Sequence, residues 1–208
     1  MTGTATMKLK AIAILIVTGG MISHSALAGT TSATLTVDSI VTMGTCTAQL
    51  LDSNDKEISQ VAIGDVYISE LRNETNKKAF KIRFSGCAGL PQKKALVKLT
   101  PRGIGCGGYN ANSAGFANAK NGAGAAGRVA VEVWTTKNAE IEAGSEIFNC
   151  FSPADKTVNL SSVTATQHFD YDLSAKMVVA EGRQLSDVTP GEFLSPATFT
   201  ISVMTPTY

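Results

Sequence analysis

Apolar and polar residues take turns along much of this chain. They alternate over Ala33 to Val37 (ATLTV), Ala79 to Phe84 (AFKIRF), Ala95 to Leu99 (ALVKL) and Val129 to Trp134 (VAVEVW). The pattern returns over Phe169 to Leu173, Lys176 to Val179 and Ala197 to Val203. A period of two sends successive side chains to opposite faces of an extended segment, so each stretch reads as a half-buried strand. Turn-forming residues separate them: Asp52-Ser53-Asn54-Asp55, Gly86, Pro101-Arg102-Gly103, Thr136-Lys137-Asn138 and Thr189-Pro190-Gly191. Many short strands punctuated in this way predict an all-β fold, an antiparallel β-sandwich. Ser69 to Lys78 (SELRNETNKK) reads as a polar connection with room for one helical turn. Gly103 to Gly127, dense in Gly, Ala and Asn, shows no packing face and reads as a long surface excursion between two strands.

Composition narrows the function classes. The 208 residues suit a single domain, and 18 basic against 17 acidic residues give a formal charge of +1 with no basic block. That balance lacks the electrostatic footprint of nucleic-acid binding, so no nucleic-acid partner is expected. No apolar run reaches the roughly 18 residues of a membrane-spanning helix.

Residues 1–28 read as a secretory signal peptide. Lys8 and Lys10 form a basic start, Ala11 to Val17 (AIAILIV) a short apolar stretch, and Ala26-Leu27-Ala28 a small-x-small cleavage site. Export gives the four cysteines, Cys46, Cys87, Cys106 and Cys150, a disulfide reading. Four cysteines admit three connectivities, and sequential pairing, Cys46 with Cys87 and Cys106 with Cys150, is the expected one. No close cysteine pair exists and the exported part keeps one histidine, His168, so no metal is expected.

Catalytic constellations are thin. Gly103-Ile104-Gly105-Cys106-Gly107-Gly108 has the spacing of a dinucleotide fingerprint, but no helical pattern follows to carry a pyrophosphate. A hydrolase triad needs a histidine base and a nucleophile elbow, and His168 has no G-x-S-x-G partner. Asp170 and Asp172 share one face of a strand that alternates with Phe169 and Tyr171, which reads as the solvent side of that strand. No enzyme, cofactor or small-molecule substrate is predicted.

Several segments carry a resemblance. Thr34 to Cys46 (TLTVDSIVTMGTC) resembles the N-terminal segment of chaperone-usher fimbrial subunits, the pilins of type 1 and P-pilus-like fibres, in which an alternating extension runs into a strand that ends at a cysteine. Ile63-Gly64-Asp65-Val66 resembles their short Gly-centred strand, and Phe80 to Cys87 (FKIRFSGC) the stretch that holds the disulfide partner. Val188 to Phe193 (VTPGEF) with Ala197 to Val203 resembles the final turn and C-terminal strand. The order and spacing of these pieces span nearly all of residues 29–208.

The resemblance implies an incomplete immunoglobulin-like sandwich that lacks its last strand and is completed by donor-strand exchange. Residues 29–43 would form the donor extension and the start of the first strand, and residues 44–208 the pilin domain. The donor residues would be Ala33, Leu35, Val37 and Ser39, filling the groove of a neighbouring pilin subunit by strand addition. Phe199, Ile201 and Val203 would form the zipper gripped by a periplasmic chaperone, before an outer-membrane usher hands the subunit to the fibre. The product would be an extracellular fimbria that contributes to cell adhesion, with this chain more like a shaft or linker subunit than a tip adhesin. The sequence departs from the family pattern at Ser39, where Gly is common, in the tail Met204 to Tyr208, and in its second cysteine pair. The rival reading is a self-contained secreted sandwich that binds a carbohydrate or protein through residues 103–127.

Overall fold

The computed structural model describes residues 31–42, 46–73, 75–87, 93–109, 113–139, 141–164 and 166–203. Strand β1 (Thr31–Thr42) is followed by β2 (Thr47–Asp52), β3 (Gln60–Val66) and a short helix α1 (Ile68–Asn73). Then come β4 (Lys77–Ser85), β5 (Lys94–Pro101), β6 (Phe116–Ala117) and β7 (Val129–Trp134). The chain closes with β8 (Lys156–Asn159), β9 (Phe169–Val179), a 3-10 turn at Leu185–Asp187 and β10 (Phe193–Val203).

These strands form the predicted two-sheet sandwich. One sheet runs β3-β1-β10-β5-β8 and the other β2-β4-β9-β7-β6. The period-two pattern sets the inner faces: Phe80, Ile82 and Phe84 of β4, Val131 and Val133 of β7, and Leu173, Ala175 and Met177 of β9 are all buried. They meet Val97 and Leu99 of β5 and Phe199 and Ile201 of β10 from the opposite sheet. Phe199 lies at the centre, its ring 5.7 Å from Phe148 edge-on and 6.4 Å from Phe80. Edge contacts of this kind add to the area buried.

Both disulfides pair sequentially, as expected: Cys46 with Cys87 and Cys106 with Cys150. The first ties the start of β2 to the end of β4, and the second ties residue 106 of the glycine-rich segment to the end of the β7–β8 connection.

Three local readings change. Ser69 to Lys78 holds a real helix: the Glu70 carboxylate accepts the Tyr67 N–H at 2.6 Å, half of a capping box, and Leu71 is buried. Asn76 then closes it, donating to the Glu70 carbonyl and accepting the Met177 N–H. The two segments read around Phe169 to Val179 are one strand, β9. Its burial departs from its alternation at Ser174 and Lys176, polar residues buried on the outer face; Lys176 lies beneath Trp134, 5.5 Å from the ring centre, and 3.6 Å from Glu132. The third change is in the glycine-rich segment, which packs instead of projecting: Ser113, Phe116 and Ala126 are buried, and β6 pairs with β7.

Candidate functional site: the seat of the N-terminal strand

β1 is an interior strand of its sheet, between β3 and β10. It pairs in parallel with β10, from Ala33 opposite Phe193 to Thr42 opposite Ser202, and antiparallel with β3. A bulge opposite Ala33 and Thr34, where Gly64 takes φ 87°, lets β3 follow the twist of β1. The position beside β10 that was expected to be empty is therefore taken by the chain's own N-terminal segment.

The seat is an apolar trough. Its floor and walls come from Phe193, Ala197, Phe199, Ile201 and Val203 of β10 and Val61 and Val66 of β3, all buried. Into it point Leu35, 0% exposed, and Val37, 5% exposed. At roughly 1.5–3 kcal/mol for each fully buried side chain of this size, these two residues contribute most of what anchors the segment's described side chains. Thr34 and Thr36 face the other way and are half-buried. Ala33 and Ser39 stand in β1 opposite Phe193 and Phe199, while their side chains, like the tail Met204 to Tyr208, lie outside the described residues.

Phe199, Ile201 and Val203 are brought together with Leu35 and Val37: they share the inner face of β10, with β1 on one side and β5 on the other. All three are core residues of the single chain.

Sequence reasoning missed Asn118. This residue of the glycine-rich segment donates Nδ2 to the Ala126 and Glu192 carbonyls at 2.9 and 2.8 Å, and its Oδ1 accepts the Lys120 and Leu194 N–H groups at 3.0 Å each. The adjacent Ala119 N–H donates to the Leu194 carbonyl at 2.6 Å. Nothing distinguishes Asn118 from the other asparagines of that segment in the sequence; only the fold brings it to the start of β10.

The outer face of the second sheet carries a charge cluster in place of a paired-carboxylate site. Arg83 clamps Asp170 through two hydrogen bonds of 2.7 and 2.8 Å, Lys81 reaches the same carboxylate at 2.8 Å, and both cations also meet Asp55. The Arg83 guanidinium, with Lys81, holds the Asp170 carboxyl well below the usual carboxylate range. Asp172 pairs separately with Lys137 at 3.3 Å, and His168 is exposed. Tyr171 turns inward and burial raises its phenol pKa. Among the described residues no group of three or more His, Cys, Asp or Glu is placed to hold a metal ion, and no helix is long and apolar enough to cross a membrane.

Comparison with known proteins adds a family to this geometry. The family profile described as "Fimbrial protein" matches residues 25–204. The chain is also similar to the uncharacterized fimbrial-like protein YadL of Escherichia coli (strain K12), with 42% identity over 187 residues, covering 90% of this chain and 92% of that protein.

Proposed function

The chain belongs to the fimbrial protein family, and from that premise we propose that it joins its neighbours by lending β1 to the trough of the next subunit. Membership makes it a structural subunit of a surface pilus and not an enzyme. The finer reading is donor-strand exchange: β1, with Leu35 and Val37, leaves its own trough, Ala33, Leu35, Val37 and Ser39 enter that of a neighbouring subunit, and the fibre so built contributes to adhesion. Before that, a periplasmic chaperone would lay a strand of its own along the same edge of β10, over Phe199, Ile201 and Val203, and an outer-membrane usher would exchange it.

The observation that carries this reading is how β1 is attached. It buries Leu35 and Val37 inside a sheet, yet among the described residues the rest of the domain lies wholly on its C-terminal side, reached through residues 43–45. A segment bound along its length and tethered at one end is suited to being passed between molecules. Its parallel direction follows from the tether: residues 43–45 span at most about 14 Å, so Thr42 must lie close to Cys46. Reversing β1 would carry Thr42 to the Phe193 end of β10, roughly 30 Å away at 3.3 Å per residue. A strand from a second molecule is free of that restriction.

Closure of the sheet by the chain's own β1 favours one other reading, the self-contained secreted sandwich. A melt separates the two. The oxidised domain lacking Gly29 to Ser39 is compared with the same domain carrying a copy of Thr30 to Met43 linked at its C-terminus. A large rise in melting temperature means that the trough accepts a strand arriving by another route, as donor exchange requires. No rise means that the trough serves β1 only in its native connection.

A further inference from the structure

β10 is longer than the strand that supports it. β5 pairs with β10 from Ala197 to Val203, ending at Pro101 opposite Ala197. The first residues of β10, Phe193 to Pro196, extend beyond that end, and it is this half that faces Ala33 to Thr36 of β1. A strand half held on one side only would fray, because its outward N–H and C=O groups would have no fixed partner.

Arg102, just past the end of β5, and the glycine-rich segment that follows it supply the missing partners. The Arg102 N–H donates to the Pro196 carbonyl at 3.0 Å, where the proline has no N–H of its own to satisfy. One step further along, the two backbone groups of Leu194 go to Ala119 and Asn118: the carbonyl accepts from the Ala119 N–H, and the N–H donates to the Asn118 side chain. Asn118 thus stands where β5 would have continued. The segment is fixed in turn to the turn before β10. The Glu192 N–H donates to the Gly124 carbonyl at 2.7 Å, the Ala126 N–H donates to the Glu192 carbonyl at 2.9 Å, and Gly127 and Thr189 exchange a pair of hydrogen bonds. Gly191 lies so close to Gly124 and Ala125 that a methyl group there would collide with their backbone. The Cys106–Cys150 bridge holds the other end of the segment to the domain.

We propose that Asn118 is the positioning residue that keeps the first half of β10 in place for the strand beside it, so that the glycine-rich segment sets how readily β1 leaves its trough. This rests on the reading that β1 is the exchanged strand. Without the clasp, Phe193 to Pro196 lose their fixed edge, the pairing with Ala33 to Thr36 opens more often, and exchange starts there.

Amide hydrogen exchange on the full oxidised chain tests the clasp without reference to assembly. In Asn118→Ala, the amides of Thr34 to Val37 and of Phe193 to Ser195 are expected to exchange about tenfold faster, the effect of losing roughly one or two net hydrogen bonds. The amides of β4 and β9 keep their wild-type rates, which a general loss of stability would not allow. Asn118→Asp retains the acceptor for the Leu194 N–H and loses both donors, so an intermediate rate is expected. Gly191→Ala disturbs the clasp from the opposite side and should reproduce the Asn118→Ala pattern should that variant fail to fold. The second readout is the rate at which full-length copies form SDS-resistant multimers, expected to rise in step with the exchange rate.

Unchanged exchange in β1 and β10 overturns the clasp. Faster exchange with an unchanged joining rate overturns its control of strand release. A wild-type chain that never joins another copy, with the clasp variants still showing faster exchange, overturns the assembly reading and with it the control over assembly, while leaving the clasp itself standing.

Discussion

Asp170 is held by two cations at once, and this sets how its contribution to stability depends on pH. Its folded pKa lies below its ordinary value of 3.8 because Arg83 and Lys81 favour the charged carboxylate. A depressed acid contributes stability that is present above the unfolded pKa and lost as pH falls through the folded one. Asp170→Asn should therefore lower the melting temperature at pH 7, and the gap to the wild-type chain should narrow as pH falls below about 4. Melts at a series of pH values check this; a gap that widens on acidification contradicts the assignment. Leu35 tests the trough at the same scale. It is fully buried between β3 and β10, so Leu35→Ala should cost about 2–5 kcal/mol in urea denaturation. A cost under about 1 kcal/mol, typical of an exposed site, would mean that β1 is not anchored by its apolar face.

Among the elements, the glycine-rich segment differs most from its reading in the sequence. Its composition shows no period, so only a surface excursion could be read there, whereas the fold lays it against β7 and the start of β10. Apart from the buried Phe116 and Ala126, Asn118 and the disulfide, it is held largely by backbone hydrogen bonds, which leave no pattern in a sequence. Removing the bridge as Cys106→Ser with Cys150→Ser should cost about 2–4 kcal/mol in urea denaturation, with faster amide exchange confined mainly to residues 103–127. Loss of protection throughout β4 and β9 would contradict a local staple. Where alternation was regular, as in β4, β5, β7 and β10, strands and inward faces were readable directly. β9 reads as two pieces because the small residues Ser174 and Ala175 interrupt its run of large apolar and polar side chains, and the burial of Lys176 under Trp134 depends on a strand distant in sequence. Helix α1 is six residues long, too short for a period of 3.6 to be recognised.

At the scale of the whole molecule, the N-terminal strand is readable from its alternation, and the disulfides from their count and order. The sequence could not place that segment, because Leu35 and Val37 suit the trough of this chain and that of another equally well. Only the tether at residues 43–45 separates the two arrangements, and it limits direction within one molecule without forbidding transfer to a second. Transfer of β1 between subunits is tested by mixing two forms. A tagged full-length chain is partly unfolded and refolded together with an untagged variant lacking Gly29 to Ser39, which can accept a strand and cannot give one. SDS-resistant pairs are expected in which the tagged chain retains the deletion variant, with longer multimers only where full-length copies meet. Recovery of the tagged chain alone, as a folded monomer at every concentration, would contradict it.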